Sequence, residues 1–110
     1  MFKPDVADYV NAWRKDGWKV AVETNGTIAL PCHFDHVTVS PKGHWGEMKI
    51  TECDDLKVVV PSFRLSEYSG MKAKNRFVQP EWGTYKSVNE IRVPRGWRLS
   101  IQNHKHWGIA

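Results

Sequence analysis

With 110 residues the chain is large enough for one domain with its own core, spanning 1–110, and too short for two. Its apolar fraction of 41% and charged fraction of 25% exclude a disordered chain, and two cysteines are too few for a secreted disulfide framework. A net charge of +4 leans toward acidic partners, yet Asp and Glu are scattered among Lys and Arg instead of leaving the concentrated positive charge of a strong non-specific nucleic-acid binder. No stretch approaches the roughly 20 apolar residues of a membrane span, and Met1-Phe-Lys-Pro-Asp lacks a signal-peptide profile. The expected location is therefore the cytoplasm, with Cys32 and Cys53 as reduced thiols.

Residues 4–16 are predicted as a helix, because Val6, Tyr9, Val10 and Trp13 recur at helical spacing and make one apolar stripe. Pro4 suits its first position, Asp5 and Asp8 complement the positive end of the dipole, Arg14 and Lys15 the negative end, and Gly17 can close it in the left-handed conformation. From Trp18 the period changes to two, with Trp18, Val20 and Val22 alternating against Lys19, Ala21 and Glu23. Thr24-Asn25-Gly26 then reads as a three-residue hairpin loop, pairing Glu23 with Thr27 and placing Ile28 and Leu30 on the apolar face.

The same device recurs at Ser40-Pro41-Lys42-Gly43-His44, which should join a strand at 36–40 to one at 46–52, and at Val93-Pro94-Arg95-Gly96-Trp97. Around this last turn, Ile91, Val93, Trp97, Leu99 and Ile101 share a predicted core face. Leu56-Lys-Val-Val-Val60 is another strand, ended by Pro61, and the segment 61–88 reads as irregular and functional or mobile, with a short helix near 62–68. The fold class expected from these elements is α+β: one N-terminal helix packed on an antiparallel sheet of five to seven strands built from hairpins.

Five tryptophans stand beside a glycine, and two such pairs open similar segments, Gly17-Trp-Lys-Val-Ala-Val-Glu-Thr and Gly96-Trp-Arg-Leu-Ser-Ile-Gln-Asn. Glycine marks turns and close backbone approach, so these rings belong at strand ends. Trp13, Trp18 and Trp97 are assigned to the core by periodicity. That leaves Trp82 and Trp107 as candidate surface anchors.

No catalytic or ligand-binding motif of high specificity is present. The foremost candidate surface is the outward face of the last hairpin, Arg92, Arg98, Ser100, Gln102, His104 and His106, with Arg95 at its tip, which could meet phosphates or an acidic protein surface. Its alternative role is the polar, solvated side of an antiparallel sheet. A second is the run Met71–Phe77, where Lys72, Lys74 and Arg76 interleave with apolar residues near Tyr68, Trp82 and Tyr85, a pattern that can hold single-stranded nucleic acid or simply be a solvated loop. Cys32, His33, His36 and Cys53, supplemented by His104 and His106, carry zinc-type donors but lack paired Cys-x-x-Cys half-sites, so no metal is assigned. His36, His44, His104 and His106 could supply an acid and base for phosphodiester cleavage if two of them converged.

Trp and Arg dominate protein interfaces, and this chain is rich in both. The expected function is a small non-enzymatic binding protein acting on a protein partner, of the inhibitor or accessory type found in bacteriophages and mobile elements, with no cofactor. A basic nucleic-acid-binding module is the alternative. A small His-dependent nuclease is the third reading.

Overall fold

A computed structural model describes residues 5–81 and 92–100. Helix α1 runs Val6–Lys15, within the span its stripe predicts, with Asp8 in the first turn and Arg14 and Lys15 in the last. Gly17 follows at φ 93°, the left-handed turn that lets the chain leave the helix. Only part of the stripe is used for packing. Val10 is buried and Val6 packs against the core, whereas Tyr9 and Trp13 stack on each other at 6.0 Å and stay exposed.

Five strands follow: β1 Ala21–Thr24, β2 His36–Val39, β3 Glu52–Val60, β4 Lys72–Pro80 and β5 Arg98–Leu99. They lie side by side in chain order, and every pairing is parallel. The expected antiparallel sheet of hairpins is thereby overturned. The first and last of the predicted turns form locally, whereas Gly43 in the middle one takes no positive φ. Thr24 Oγ1 accepts the Gly26 N–H, Asn25 Oδ1 accepts the Thr27 N–H, the Trp97 N–H bonds the Pro94 carbonyl, and Gly26 and Gly96 take positive φ. After the first turn and again after β2, however, the chain crosses over instead of returning. Segments 25–35, 40–51 and 61–71 each have about the dozen residues that a parallel crossover needs.

The expected strand at 27–30 and all but the end of the one at 46–52 are consequently loop, with a 3-10 turn at Trp45–Glu47 and Glu52 opening β3. Gly26 ties these loops together: its carbonyl accepts the N–H groups of Lys49 and Ile50, and a Cβ there would collide with Met48 Cε. The segment expected to be irregular contains a 3-10 helix, Leu65–Tyr68, and then β4, one of the two longest strands. Of the predicted last hairpin, β5 pairs parallel to β4, while Ile91 and Ile101 lie outside the described residues.

The core lies on one face of the sheet. Val37, Val39, Leu56 and Val58 are buried in one cluster with Val10, Phe34, Met48, Ile50, Tyr68 and Met71, and Val22 packs against it. Burying each such side chain stabilises the fold by roughly 1.5–3 kcal/mol relative to exposure. Trp97 reaches this cluster, but Trp13 and Trp18, also assigned to the core, are 48% and 69% exposed. Val93 and Leu99 are likewise exposed.

Candidate ligand cleft at the carboxyl ends of the strands

Strand register places Glu23, Thr38, Asp55 and Asn75 in one cross-strand row, opposite to the face of Val22, Val39 and Leu56. Sheets made wholly of parallel strands are ordinarily apolar on both faces, because both are covered. Here one face carries carboxylates, amides and lysines. That polarity keeps it from being a second layer of core, which would leave these groups desolvated.

At the carboxyl ends of the strands this face opens into a cleft of about 550 Å³, lined by β1, β3 and β4 and by residues that follow β2 and β5. Glu23 and Thr24 close β1 and Asn25 follows them; Ser40 and Lys42 follow β2; Lys57 and Val59 come from β3, Gln79 from β4, and Ser100 follows β5. Ligands of parallel α/β sheets bind in this place, because crossovers there leave loops free to carry polar groups above a rigid sheet. Neither Lys42 nor Lys57 is ion-paired among the described residues. The cleft therefore offers two uncommitted cations, one carboxylate and several amide and hydroxyl groups around the apolar Val59.

The amino-terminal end of the sheet is internally satisfied. His36 Nε2 lies 2.9 Å from Asp55 Oδ2, and Asn75 Nδ2 donates to Asp55 Oδ1 at 3.0 Å. Asp54 accepts the Val37 N–H at 2.7 Å and the Lys74 ammonium at 3.1 Å. These bonds, the backbone one foremost, hold the Asp54 carboxyl below the usual aspartate range. Such a network braces β2, β3 and β4 against one another.

The residues proposed from sequence are dispersed. Lys74 is engaged by Asp54; Arg76 donates to the Met71 carbonyl and lies 5.7 Å from the Trp97 ring; Lys72 is exposed at the start of β4. The basic run is thus a strand, and its alternation with Ala73, Asn75 and Phe77 is the period of two. Arg92, Arg95 and Arg98 are exposed near β5, whereas Trp82, Gln102, His104, His106 and Trp107 lie outside the described residues. His36 opens β2 and His44 lies beyond its carboxyl end, beside Glu67, so these two histidines do not meet. Among the described residues no three His, Cys, Asp or Glu side chains gather as metal ligands. Cys53 is buried, and burial with Asp54 nearby pushes its thiol up to about 11. No helix among the described residues is long and apolar enough to cross a membrane.

The cleft residues Glu23, Asn25, Ser40, Lys42, Lys57 and Gln79 were not singled out by sequence reasoning. Their signal lay in the two turn motifs, which became hairpin turns once an antiparallel partner was assumed. The twelve-residue spacing between apolar strands was the cue to the other topology.

No protein-family model matches the chain. It is, however, 35% identical over 109 residues to a 7-carboxy-7-deazaguanine synthase of Bradyrhizobium diazoefficiens, covering 91% of this chain and 51% of the relative. A synthase of the same name from Burkholderia multivorans is 34% identical over 91% of this chain and 51% of its own length, and one from Bacteroides thetaiotaomicron 40% identical over 81% and 50%. The expectation of a non-enzymatic inhibitor or accessory protein is overturned by these relatives, which are enzymes. The chain spans about half the length of the curated relatives it matches.

Proposed function

We propose that this chain forms part of an enzyme that makes 7-carboxy-7-deazaguanine and that the carboxyl-end cleft holds a ligand of that reaction. The observation that carries the reading is the match along 91% of the chain to synthases of one name from separate bacteria. The chemistry of the cleft supports it. A carboxylated guanine-like base presents a row of ring and exocyclic donors and acceptors at one edge and an anion at another. Glu23 is suited to accept from ring and amino N–H groups, the Gln79 amide can both donate and accept, and the Asn25 amide, whose oxygen already accepts twice from Thr27, can donate. Lys42 and Lys57 suit the carboxylate, and Val59 gives the ring an apolar contact. A cytoplasmic location suits such a small-molecule biosynthetic role.

The test is a chimera in which this sequence replaces the matching segment of the Bradyrhizobium diazoefficiens enzyme. Formation of 7-carboxy-7-deazaguanine, followed by chromatography, is the expected result, with at least a tenfold loss on Lys57→Met. A chimera that folds and makes no product would refute the reading.

A further inference from the structure

Of the two cations in the cleft, the sheet itself fixes only one. Lys57 stands within β3 in register with Phe77 of β4, so the strand ladder sets its backbone. Lys42 lies beyond the end of β2, in the loop that leads to the 3-10 turn Trp45–Glu47. The Ser40 N–H still bonds the Thr24 carbonyl at 2.8 Å and Pro41 is fully buried, but past them no strand among the described residues pairs with this loop. A loop lysine without other support would have to order its backbone as well as its side chain when a ligand binds, at a cost in affinity.

The support comes from the crossover 61–71 between β3 and β4, none of whose residues lines the cleft. Its 3-10 helix Leu65–Tyr68 sets two adjacent side chains against the Lys42 loop. The Tyr68 hydroxyl, from a fully buried side chain, donates to the Gly43 carbonyl at 2.6 Å. Glu67 Oε1 accepts the Trp45 N–H at 3.0 Å, and His44 Nδ1 lies 3.4 Å from the same oxygen. A backbone N–H bonded to a carboxylate makes a charge-assisted bond, stronger than a neutral one. Gly70 completes the contact, for a Cβ there would lie 2.8 Å from Trp45 Cζ2.

We infer that Glu67 is a positioning residue for the cleft: through the Trp45 N–H, and together with Tyr68, it fixes the loop that carries Lys42 and holds that cation in place for a bound anion. On the synthase reading, on which this rests, the anion is the carboxylate of the ligand. Glu67 touches nothing in the cleft and lies outside the core cluster, so its effect on binding runs through Lys42.

The experiment titrates 7-carboxy-7-deazaguanine into the 110-residue chain by calorimetry and follows the Lys42 and Gly43 amides by nitrogen relaxation. Lys42→Met is expected to weaken binding about tenfold and Glu67→Ala about fivefold, but Glu67→Ala placed in the Lys42→Met background less than about twofold further, because residues that act as one unit are not additive. Glu67→Gln keeps an oxygen for the Trp45 N–H and should bind within about twofold of wild type. Gly70→Ala, at a glycine without positive φ, displaces the Trp45 ring and should weaken binding as Glu67→Ala does. In Glu67→Ala the order parameters of the Lys42 and Gly43 amides should fall from about 0.85 to below about 0.6 while those of β3 hold. Additive losses, a failure of glutamine to restore binding, or unaltered order parameters would each overturn the inference. Undiminished binding by Glu67→Ala would sink the positioning role alone, whereas a chain that binds no 7-carboxy-7-deazaguanine, with its Lys42 loop loosened by Glu67→Ala, would sink the synthase reading alone.

Discussion

In β3, Leu56 and Val58 are fully buried in the core cluster, while Lys57 and Val59, one residue on from each, line an open cleft. The strand is the same, so the alternation of side chains alone sends its residues to two environments. Packing density governs the covered face, where a lost methylene leaves a cavity. On the cleft face Lys42 and Lys57 make no ion pair among the described residues. Stability and function are therefore separable within one strand, and substitutions should sort accordingly.

The largest effect expected is Leu56→Ala on the covered face, about 3 kcal/mol lost from unfolding free energy, as a fully buried leucine normally gives, measured by the urea midpoint. A loss under about 1 kcal/mol would mean that the sheet relaxes into the space and that the covered face is loosely packed. Tyr68→Phe comes next. Tyr68 is fully buried and its hydroxyl donates to the Gly43 carbonyl at 2.6 Å, so removal should cost about 1–2 kcal/mol, and thermal melts of both variants would show it.

Asp54 tests the braced amino-terminal end of the sheet. Its carboxyl is depressed in the folded protein, so its contribution is complete above the unfolded aspartate range and disappears as pH falls through the folded value. Wild type should therefore out-melt Asp54→Asn at pH 7, and the two curves should converge in acid; a gap that persists at pH 2 would reassign the effect to packing. The smallest stability change belongs to Lys57→Met, within about 0.5 kcal/mol of wild type, because a lysine without an internal ion pair leaves no partner stranded. A large loss of stability there would break the distinction between the faces.

Much of the local structure was legible in the residues. The stripe of Val6 and Val10 with charged ends defined α1, Leu56–Val60 read as a strand, and the Asn25-Gly26 and Pro94-Arg95-Gly96 turns formed as their chemistry requires. Which way the chain runs after a turn was not legible. A glycine at positive φ serves a hairpin or the mouth of a crossover equally well, so the parallel arrangement stayed hidden. The same ambiguity concealed the cleft, since Glu23, Ser40 and Lys57 lie far apart along the chain and meet only in parallel register.

By itself, the sequence determined where backbone and side chains have strong local preferences: a helix with its dipole complemented, strands of alternating polarity, and turns at glycine. Tertiary structure alone decided strand direction, which tryptophans are covered, and which polar residues converge. Those outcomes depend on contacts between segments separated by a dozen residues or more, whose free energies no single segment contains.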